Sequence, residues 1–228
     1  MTNRNNKKLL ELFCGTKCVG KVFENKGYDV VSLDYNPKFN ATHTENILTW
    51  DYKQYLPDSF DVIWASPDCT TWSLATGGKY RTLQNIYGHN NEHQEKATIG
   101  NHMVLRVIEI LNYFKCKSWF IENPKALMIH FPPLKEFIQE HNAYNTLVYY
   151  GNYNDWGCMK PTHIWSNMPL WKEQKPIMSE DKYIVKYKTH DKRPKRFYKS
   201  FSSGNAEERS KIPSDLIERL RCLVPNEL

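Results

Sequence analysis

Residues 60–65 contain four consecutive apolar residues, Val62 to Ala65, and lead directly into Ser66-Pro67-Asp68-Cys69. A strand that is apolar at every position, rather than at alternate positions, is typical of a parallel sheet covered on both faces. Other short apolar runs, at 9–13, 29–33 and 119–121, are separated by apolar residues at helical spacing. This repeated alternation predicts an α/β fold with a Rossmann-like, doubly wound and mostly parallel sheet.

The helices and the later strands are expected from spacing alone. Val19, Val22 and Phe23 predict a helix that stops at Gly27, and residues 104–114 carry one apolar helical face. Residues 74–100 are polar and lack a period, which predicts a long mobile loop. The remaining expected elements are a third strand at the apolar patch 46–48, a short helix at 134–140, strands at 147–150 and 163–165, and a last helix at 213–223.

Length and composition exclude several classes of protein. A chain of 228 residues with 40% apolar residues predicts one domain with a real core. No stretch approaches the roughly 18 apolar residues of a membrane span, and the basic start of the chain leads into no export signal. The six cysteines include no C-x-x-C pair and no histidine pair has zinc spacing, so we expect no disulfide framework and no metal site. An intracellular protein, neither secreted nor bound to a membrane, is the expectation.

Positive charge is concentrated in residues 181–200. This segment holds eight lysines and arginines against two aspartates, so its net charge of +6 equals that of the whole chain. Aromatic residues are interleaved with the basic ones, a combination that suits phosphates and stacked bases. Nucleic acid is therefore the favoured partner, and a solvated basic loop is the alternative. The residues expected to contact nucleic acid are Lys192, Arg193, Lys195 and Arg196.

In a doubly wound sheet, a ligand lies beyond the carboxyl ends of the strands. The turn Cys14-Gly15-Thr16 follows the first strand and precedes a helix, and Asp34 follows the second strand. A glycine turn at a helix N-terminus, with an acid about twenty residues later, suits a nucleoside cofactor whose ribose hydroxyls bind the acid. An ordinary strand-to-helix turn capped by Thr16 is the alternative.

Two other strand ends carry reactive side chains. Cys69 follows a proline at the end of a buried run and lies among hydroxylated residues, a setting for a nucleophile, although an isolated cysteine can equally fill a core. Glu122 follows the run 119–121, where burial would raise its pKa and let it donate a proton near neutral pH. A carboxylate near a helix N-terminus is the alternative for Glu122.

Six segments occur in the order ELFCGT, Asp34, FDVIWASPDCTTWS, WFIENP, KPTHIWSN and GNAEERSKIP. This order resembles the DNA (cytosine-5) methyltransferase family, especially its compact phage and large-virus members, over residues 8–166 and again at 204–218. The resemblance implies a methyltransferase fold with a catalytic domain of residues 1–167 and 201–228, and a small basic target-recognition segment at 168–200. It also implies S-adenosylmethionine as cofactor, double-stranded DNA with a flipped cytosine as substrate, and the cytoplasm or nucleus of a host cell as location.

The resemblance also implies a set of cofactor-binding residues. Phe13 and Gly15 correspond to the methionine and adenosine side, Asp34 to the acid that holds the ribose, and Asn205 to the late motif that closes the site. Asn46 and Ile47 correspond to the residues that flank adenine, where the family usually has Asp-Ile. The full expected set is Leu12, Phe13, Gly15, Asp34, Asn46, Ile47, Pro67 and Asn205.

The catalytic residues follow in the same way. The resemblance places the nucleophile at Cys69 and the acid that binds and protonates the base at Glu122, next to Asn123. In such a reaction the thiolate adds to C6 of cytosine while the acid protonates N3, which makes C5 nucleophilic. Because a stacked base is inaccessible, the cytosine must be flipped out, and the loop 74–100 is the expected lid.

Three residues depart from the family pattern. Asp68 stands in place of a proline, and its charge disfavours a thiolate at Cys69. Lys17 replaces a glycine of the cofactor turn. His163 falls where an arginine binds the cytosine carbonyl and orients the acid, which leaves Lys160 or His163 to take this part. The expected function is methylation of cytosine C5 in DNA; the alternatives are the same chemistry on RNA or a pyrimidine nucleotide, and a catalytically silent DNA-binding or partner-binding relative.

Overall fold

The computed structural model describes residues 6–153, 159–175, 183–188, 191–198 and 210–225. Within these ranges, seven strands form one sheet, two more form a hairpin, and four α-helices accompany them. The strands are β1 (Lys8–Leu12), β2 (Asp29–Asp34), β3 (His43–Thr44), β4 (Val62–Ala65), β5 (Ser118–Pro124), β6 (Tyr144–Tyr149), β7 (Pro161–Ser166), β8 (Tyr183–Lys188) and β9 (Asp191–Tyr198). The helices are α1 (Cys18–Glu24), α2 (Gln94–Tyr113), α3 (Pro132–Glu140) and α4 (Ser214–Arg221).

The large sheet has the strand order β3-β2-β1-β4-β5-β7-β6. Neighbouring strands from β3 to β5 are parallel, whereas β7 is antiparallel to both β5 and β6. The strand order reverses direction between β1 and β4, so the crevice for a ligand lies beyond the carboxyl ends of these two strands. This confirms the predicted mostly parallel α/β sheet.

Both faces of the sheet are covered, as the continuous apolar run in β4 predicts. Ile63 and Ala65 belong to the core under α2 and α3, whereas Val62 and Trp64 belong to the core under α1 and α4. All four β4 side chains are essentially inaccessible to solvent. The sheet is therefore a rigid platform whose strand ends position the side chains beyond them.

Two element predictions differ from the structure. Residues 94–100, expected as loop, are the first turns of α2; their buried positions are Ala97 and Gly100, too small to give an apolar period. The apolar patch at 46–48 is a turn rather than a strand, because the Asn46 side chain accepts a hydrogen bond from the Leu48 amide and β3 has already ended.

The basic segment contains an antiparallel hairpin, β8–β9, which forms a separate two-stranded sheet. Lys192, Arg193, Lys195 and Arg196 all lie on β9. Within the ranges that the structure describes, no helix is both long enough and apolar enough to cross a membrane.

Candidate active site

The turn after β1 folds back onto the end of β2. Phe13, Gly15 and Lys17 all have positive φ angles, of 59°, 47° and 57°. The Gly15 amide donates to Asp34 Oδ2 at 3.0 Å, and the Cys14 amide donates to the Leu33 carbonyl at 3.0 Å. Lys17 thus adopts the left-handed conformation that a glycine would adopt without strain, at a cost of roughly 1–2 kcal/mol. Its ammonium group donates a hydrogen bond to the Asn40 carbonyl.

A buried carboxyl supports this turn from below. Glu11 lies within β1, and its Oε2 accepts a hydrogen bond from the Gly20 amide in α1 at 3.1 Å. A Cβ atom at position 20 would lie 2.6 Å from that oxygen, so only glycine allows this close approach. Burial raises the pKa of Glu11 to about 8. The carboxyl therefore ties α1 to β1 beneath the cofactor turn.

A cavity of about 210 Å³ opens beside this turn. Apolar side chains of Phe13, Leu33, Ile47 and Met103 line it together with the carboxyl groups of Asp34 and Glu45. An apolar slot with acids at its edge suits a flat base joined to a sugar with hydroxyl groups. The complete lining is Phe13, Leu33, Asp34, Tyr35, Glu45, Asn46, Ile47 and Met103.

Four predicted cofactor residues, namely Phe13, Asp34, Asn46 and Ile47, line this cavity. Leu12, Gly15 and Pro67 are not part of its lining. Leu12 is fully buried beneath the turn, the Gly15 amide binds Asp34, and the Pro67 carbonyl accepts a hydrogen bond from Asn123. Asn205 lies outside the described residues.

Sequence reasoning missed Tyr35 and Glu45 in the cavity wall. Tyr35 lines the cavity and is 72% exposed. Its position directly after Asp34, at the end of a buried strand, is the signal that could have revealed it. Glu45 and Met103 come from a turn and from α2, and their contribution depends on tertiary packing.

Cys69 lies in the turn after β4 and is partly buried. Its carbonyl accepts hydrogen bonds from the Trp72 and Ser73 amides, at 3.1 and 2.9 Å. Asp68 is exposed, and its Oδ1 accepts from the Thr70 amide at 2.8 Å and from the Thr70 hydroxyl at 2.6 Å. The acid that replaces the family proline therefore caps a helical turn.

Glu122 and Asn123 lie near the end of β5, the neighbour of β4. Because successive side chains of a strand alternate between the faces, these two point to opposite sides of the sheet. The Asn123 amide group donates to the Pro67 carbonyl at 2.9 Å and so joins the Cys69 turn to β5. Glu122 is 5% exposed, and its Oε1 accepts a hydrogen bond from the Tyr150 hydroxyl at 2.9 Å.

The charges of Cys69, Glu122 and Lys160 act on one another. Burial raises the pKa of Glu122. The positive charge of Lys160 and hydrogen bonds from Tyr150 and Ser66 act in the other direction and lower it. Burial raises the pKa of the Cys69 thiol to about 11; the charges of Glu122 and, next, Asp68 add to this, and Lys160 opposes it. The structure therefore brings the predicted nucleophile, acid and cation together.

His163 does not join this group. It pairs with Asn123 across β5 and β7, whereas Ile164 pairs with Glu122, so His163 lies on the opposite face from the acid. Its Nδ1 is 2.9 Å from Asn145 Oδ1, and burial lowers its pKa to about 4. Of the two residues that the sequence left as alternatives, the structure brings only Lys160 to Glu122.

The probable DNA (cytosine-5)-methyltransferase of Frog virus 3 (isolate Goorha) is 30% identical to this chain over 169 residues, which cover 71% of each protein. The chain belongs to the DNA (cytosine-5)-methyltransferase family. This confirms the resemblance on which the site residues were assigned. No protein-family model matches the chain.

A solved methyltransferase structure has the fold of this DNA (cytosine-5)-methyltransferase family member. The methyltransferase EhMeth of Entamoeba histolytica superposes with a TM-score of 0.54 at 15% identity, covering 77% of this chain and 58% of that one. The Dnmt2 methyltransferase of S. pombe gives a TM-score of 0.48 at 13% identity, covering 74% of this chain and 52% of that one. The chain thus spans little more than half the length of these structures.

Membership in the DNA (cytosine-5)-methyltransferase family implies S-adenosylmethionine as the methyl donor, and the cavity fits its adenosine part. Each oxygen of Asp34 accepts one backbone hydrogen bond, from Gly15 or Asn36, and keeps a second lone pair for a ribose hydroxyl. Ile47 and Phe13 offer apolar surface to the base. Asn46 stands where the family usually has an aspartate, and its Oδ1 accepts a hydrogen bond from the Leu48 amide.

Proposed function

We propose that this protein methylates C5 of cytosine in DNA, with S-adenosylmethionine as methyl donor and Cys69 and Glu122 as the catalytic pair. The observation that carries the proposal is the juxtaposition of Cys69, Glu122 and Lys160 at the ends of β4, β5 and β7, on the same sheet edge as the nucleoside-sized cavity. A thiol, a buried acid and a cation are the groups that covalent activation of a pyrimidine requires.

In the proposed reaction, the Cys69 thiolate forms a bond to C6 of the flipped cytosine. Glu122 donates a proton to N3 at the same time, so the electron pair moves to C5. Burial raises the pKa of Glu122 and so favours the protonated form that this step needs. S-adenosylmethionine held beside Asp34 would supply an electrophilic methyl group to C5 and leave as S-adenosylhomocysteine when its methyl–sulfur bond breaks. A base such as water then takes the C5 proton, the C5–C6 double bond forms again as the bond from Cys69 to C6 breaks, and the N3 proton returns to Glu122.

Lys160 has two parts in this proposal. Its positive charge lowers the pKa of Cys69, which favours the thiolate, and it lies close enough to Glu122 to stabilise the carboxylate left after proton transfer. Asn123 positions the Cys69 turn through the Pro67 carbonyl. The basic residues of β9 contact the DNA backbone in this account, and residues 168–200 form the recognition segment.

Mass spectrometry of nucleosides tests the function. DNA and RNA are incubated separately with the protein and S-adenosylmethionine and then digested. We expect 5-methylcytosine in DNA with the wild-type protein and none with Cys69→Ser. Methylation confined to RNA would replace the proposal with the RNA alternative, and no methylation of either would favour a silent binding protein.

A further inference from the structure

The hydroxyl group of Tyr150 lies against the proposed acid. Tyr150 is fully buried, in a short turn that follows β6, and its hydroxyl donates to Glu122 Oε1 at 2.9 Å. Burial and the negative charge of Glu122 keep the tyrosine pKa well above its ordinary value, so the hydroxyl remains a donor at every working pH. This hydrogen bond, together with the one from Ser66, restricts the orientation of the Glu122 carboxyl group.

The turn that carries Tyr150 is itself held by a single carboxylate. Glu173 Oε2 accepts hydrogen bonds from the Tyr149 amide at 2.7 Å and from the Asn152 side chain at 3.0 Å. Its Oε1 accepts from the Tyr153 hydroxyl and from the Trp171 indole, the latter at 2.8 Å. Four donors around one carboxylate hold the residues on both sides of Tyr150.

The hydrogen bonds of Glu173 to the turn of Tyr150 form a clamp, and the segment that carries Glu173 is itself held in place. The Arg219 guanidinium lies 3.8 Å from the centre of the Trp171 ring, so α4 holds the segment that carries Glu173. The Lys160 ammonium lies 4.5 Å from the centre of the Tyr150 ring. A hydrogen-bonded path therefore runs from Glu173, through the turn of Tyr150, to Glu122.

We propose that Tyr150 is the positioning residue that orients the Glu122 carboxyl for proton transfer, and that Glu173 holds Tyr150 in that position. Tyr150 thereby takes the orienting part that the sequence assigned to His163 or Lys160. This inference rests on the proposed function of Glu122 as the acid.

Tyr150→Phe tests it, because the substitution removes only the hydroxyl group. We expect kcat for DNA methylation to fall about tenfold while KM for S-adenosylmethionine is unchanged. A donor to Oε1 stabilises the ionised carboxyl, so its loss raises the pKa of Glu122. The limb of the pH–rate profile that reports Glu122 should move to higher pH. A purely structural tyrosine would lower Tm and leave that limb in place, which would overturn the proposal.

Glu173→Gln tests the clamp. We expect it to reproduce part of the loss in kcat and to have no further effect in a protein that already carries Tyr150→Phe. If Glu173→Gln lowered kcat by the same factor in the wild type and in Tyr150→Phe, the path from Glu173 to Glu122 would be contradicted. Glu109→Gln is the matched control: Glu109 also accepts a hydrogen bond from a tyrosine hydroxyl, that of Tyr52 at 2.7 Å, but lies on α2, and kcat should not change.

A titration that needs no turnover separates this inference from the proposed function. The Glu122 carboxyl is followed by carbon NMR in protein labelled at glutamate, with Glu122→Gln to assign the signal. The signal should titrate at higher pH in Tyr150→Phe than in the wild type. An unchanged titration in Tyr150→Phe overturns the inference. If the titration shifts as expected but the wild-type protein methylates no cytosine, the proposed function alone is overturned.

Discussion

Asp34 joins the cofactor turn to the wall of the cavity. One carboxylate oxygen binds the Gly15 amide and the other binds the Asn36 amide, so the side chain shapes the site even without a ligand. A ribose hydroxyl donating to it forms a charge-assisted hydrogen bond, and Asp34→Ala removes both effects.

We expect Asp34→Ala to weaken binding of S-adenosylmethionine about tenfold or more, as measured by titration calorimetry. Asp29→Ala is the control, because Asp29 is an exposed acid at the start of the same strand. This variant should bind the cofactor as tightly as the wild type does. Equal affinities for the two variants would remove Asp34 from the site.

The thiol of Cys69 provides a test of electrostatics. Glu122 raises its pKa more than Asp68 does, because Asp68 is exposed and turned toward Thr70. The thiol pKa of about 11 should therefore fall further in Glu122→Gln than it does in Asp68→Asn. In Lys160→Met it should rise. Since the thiolate is the reactive form, alkylation of Cys69 should begin at lower pH in the first two variants.

Alkylation by iodoacetamide is followed across pH and quantified by mass spectrometry of the peptide that contains Cys69. Cys116 is an internal control, since burial raises its pKa to about 12 and Asp61 is the charge that acts on it. A larger shift from Asp68→Asn than from Glu122→Gln would show that Asp68 faces the sulfur atom.

The residues that sequence could predict are those placed directly after a strand. Cys69, Glu122 and Asp34 each follow an apolar run, and the geometry of a parallel sheet brings such positions to one edge. Tyr150 and the position of His163 could not be predicted in this way. Whether a residue of β7 faces the acid depends on the register of an antiparallel strand, and a shift of one residue changes the face.

Among the connecting elements, the loop between Cys69 and α2 is tied down by a buried arginine. The Arg81 guanidinium is 1% exposed and donates to the carbonyls of Thr71, Ile86 and Ala97 and to the side chain of Asn101. It also lies 3.5 Å from the centre of the Trp72 ring. The loop is thus anchored near its middle to the turn of Cys69 and to α2, whereas the sequence predicted a long mobile loop.

Arg81→Met should therefore loosen this loop. Several buried carbonyls lose their donor, so we expect the free energy of unfolding to fall by about 3 kcal/mol. Chymotrypsin should cleave faster at Leu83 and Tyr87, which are 58% and 53% exposed, well below the melting temperature. Arg106→Met is the control, because Arg106 binds the Ile47 and Trp50 carbonyls instead. An unchanged rate of loop cleavage would show that Arg81 is not the anchor.

Element boundaries were predictable where apolar residues set them. The bounds of β1, β2 and α3 differ from the sequence expectation by one or two residues. The start of α2 was not predictable, because Asn101 and Gly100 are buried there for their contacts with the Arg81 side chain and its surroundings. The burial of these two residues comes from tertiary contacts, which the local sequence does not reveal.

At the scale of the whole molecule, the positive charge belongs to one segment. Residues 181–200 carry a net charge of +6, and the rest of the chain is balanced. If β9 contacts phosphates, DNA affinity should fall steeply with salt. Replacing Lys192, Arg193, Lys195 and Arg196 by glutamate should then reduce the slope of log affinity against log salt by about 0.9 for each lost phosphate contact.

Four exposed lysines elsewhere give a matched charge control, and the same replacement there should leave the slope unchanged. An affinity that does not depend on salt would contradict a nucleic-acid role for the hairpin. The control lysines are Lys26, Lys53, Lys115 and Lys135.

The central claim is that Cys69 forms a covalent bond to cytosine in DNA. DNA containing 5-fluorocytosine traps this bond, because fluorine at C5 cannot leave as a proton does. With S-adenosylmethionine, the wild-type protein should form an adduct that survives a denaturing gel, as should Cys14→Ser and Cys116→Ser, whereas Cys69→Ser should form none. An adduct in Cys69→Ser, or no adduct in a wild-type protein that binds DNA and cofactor, would contradict the account.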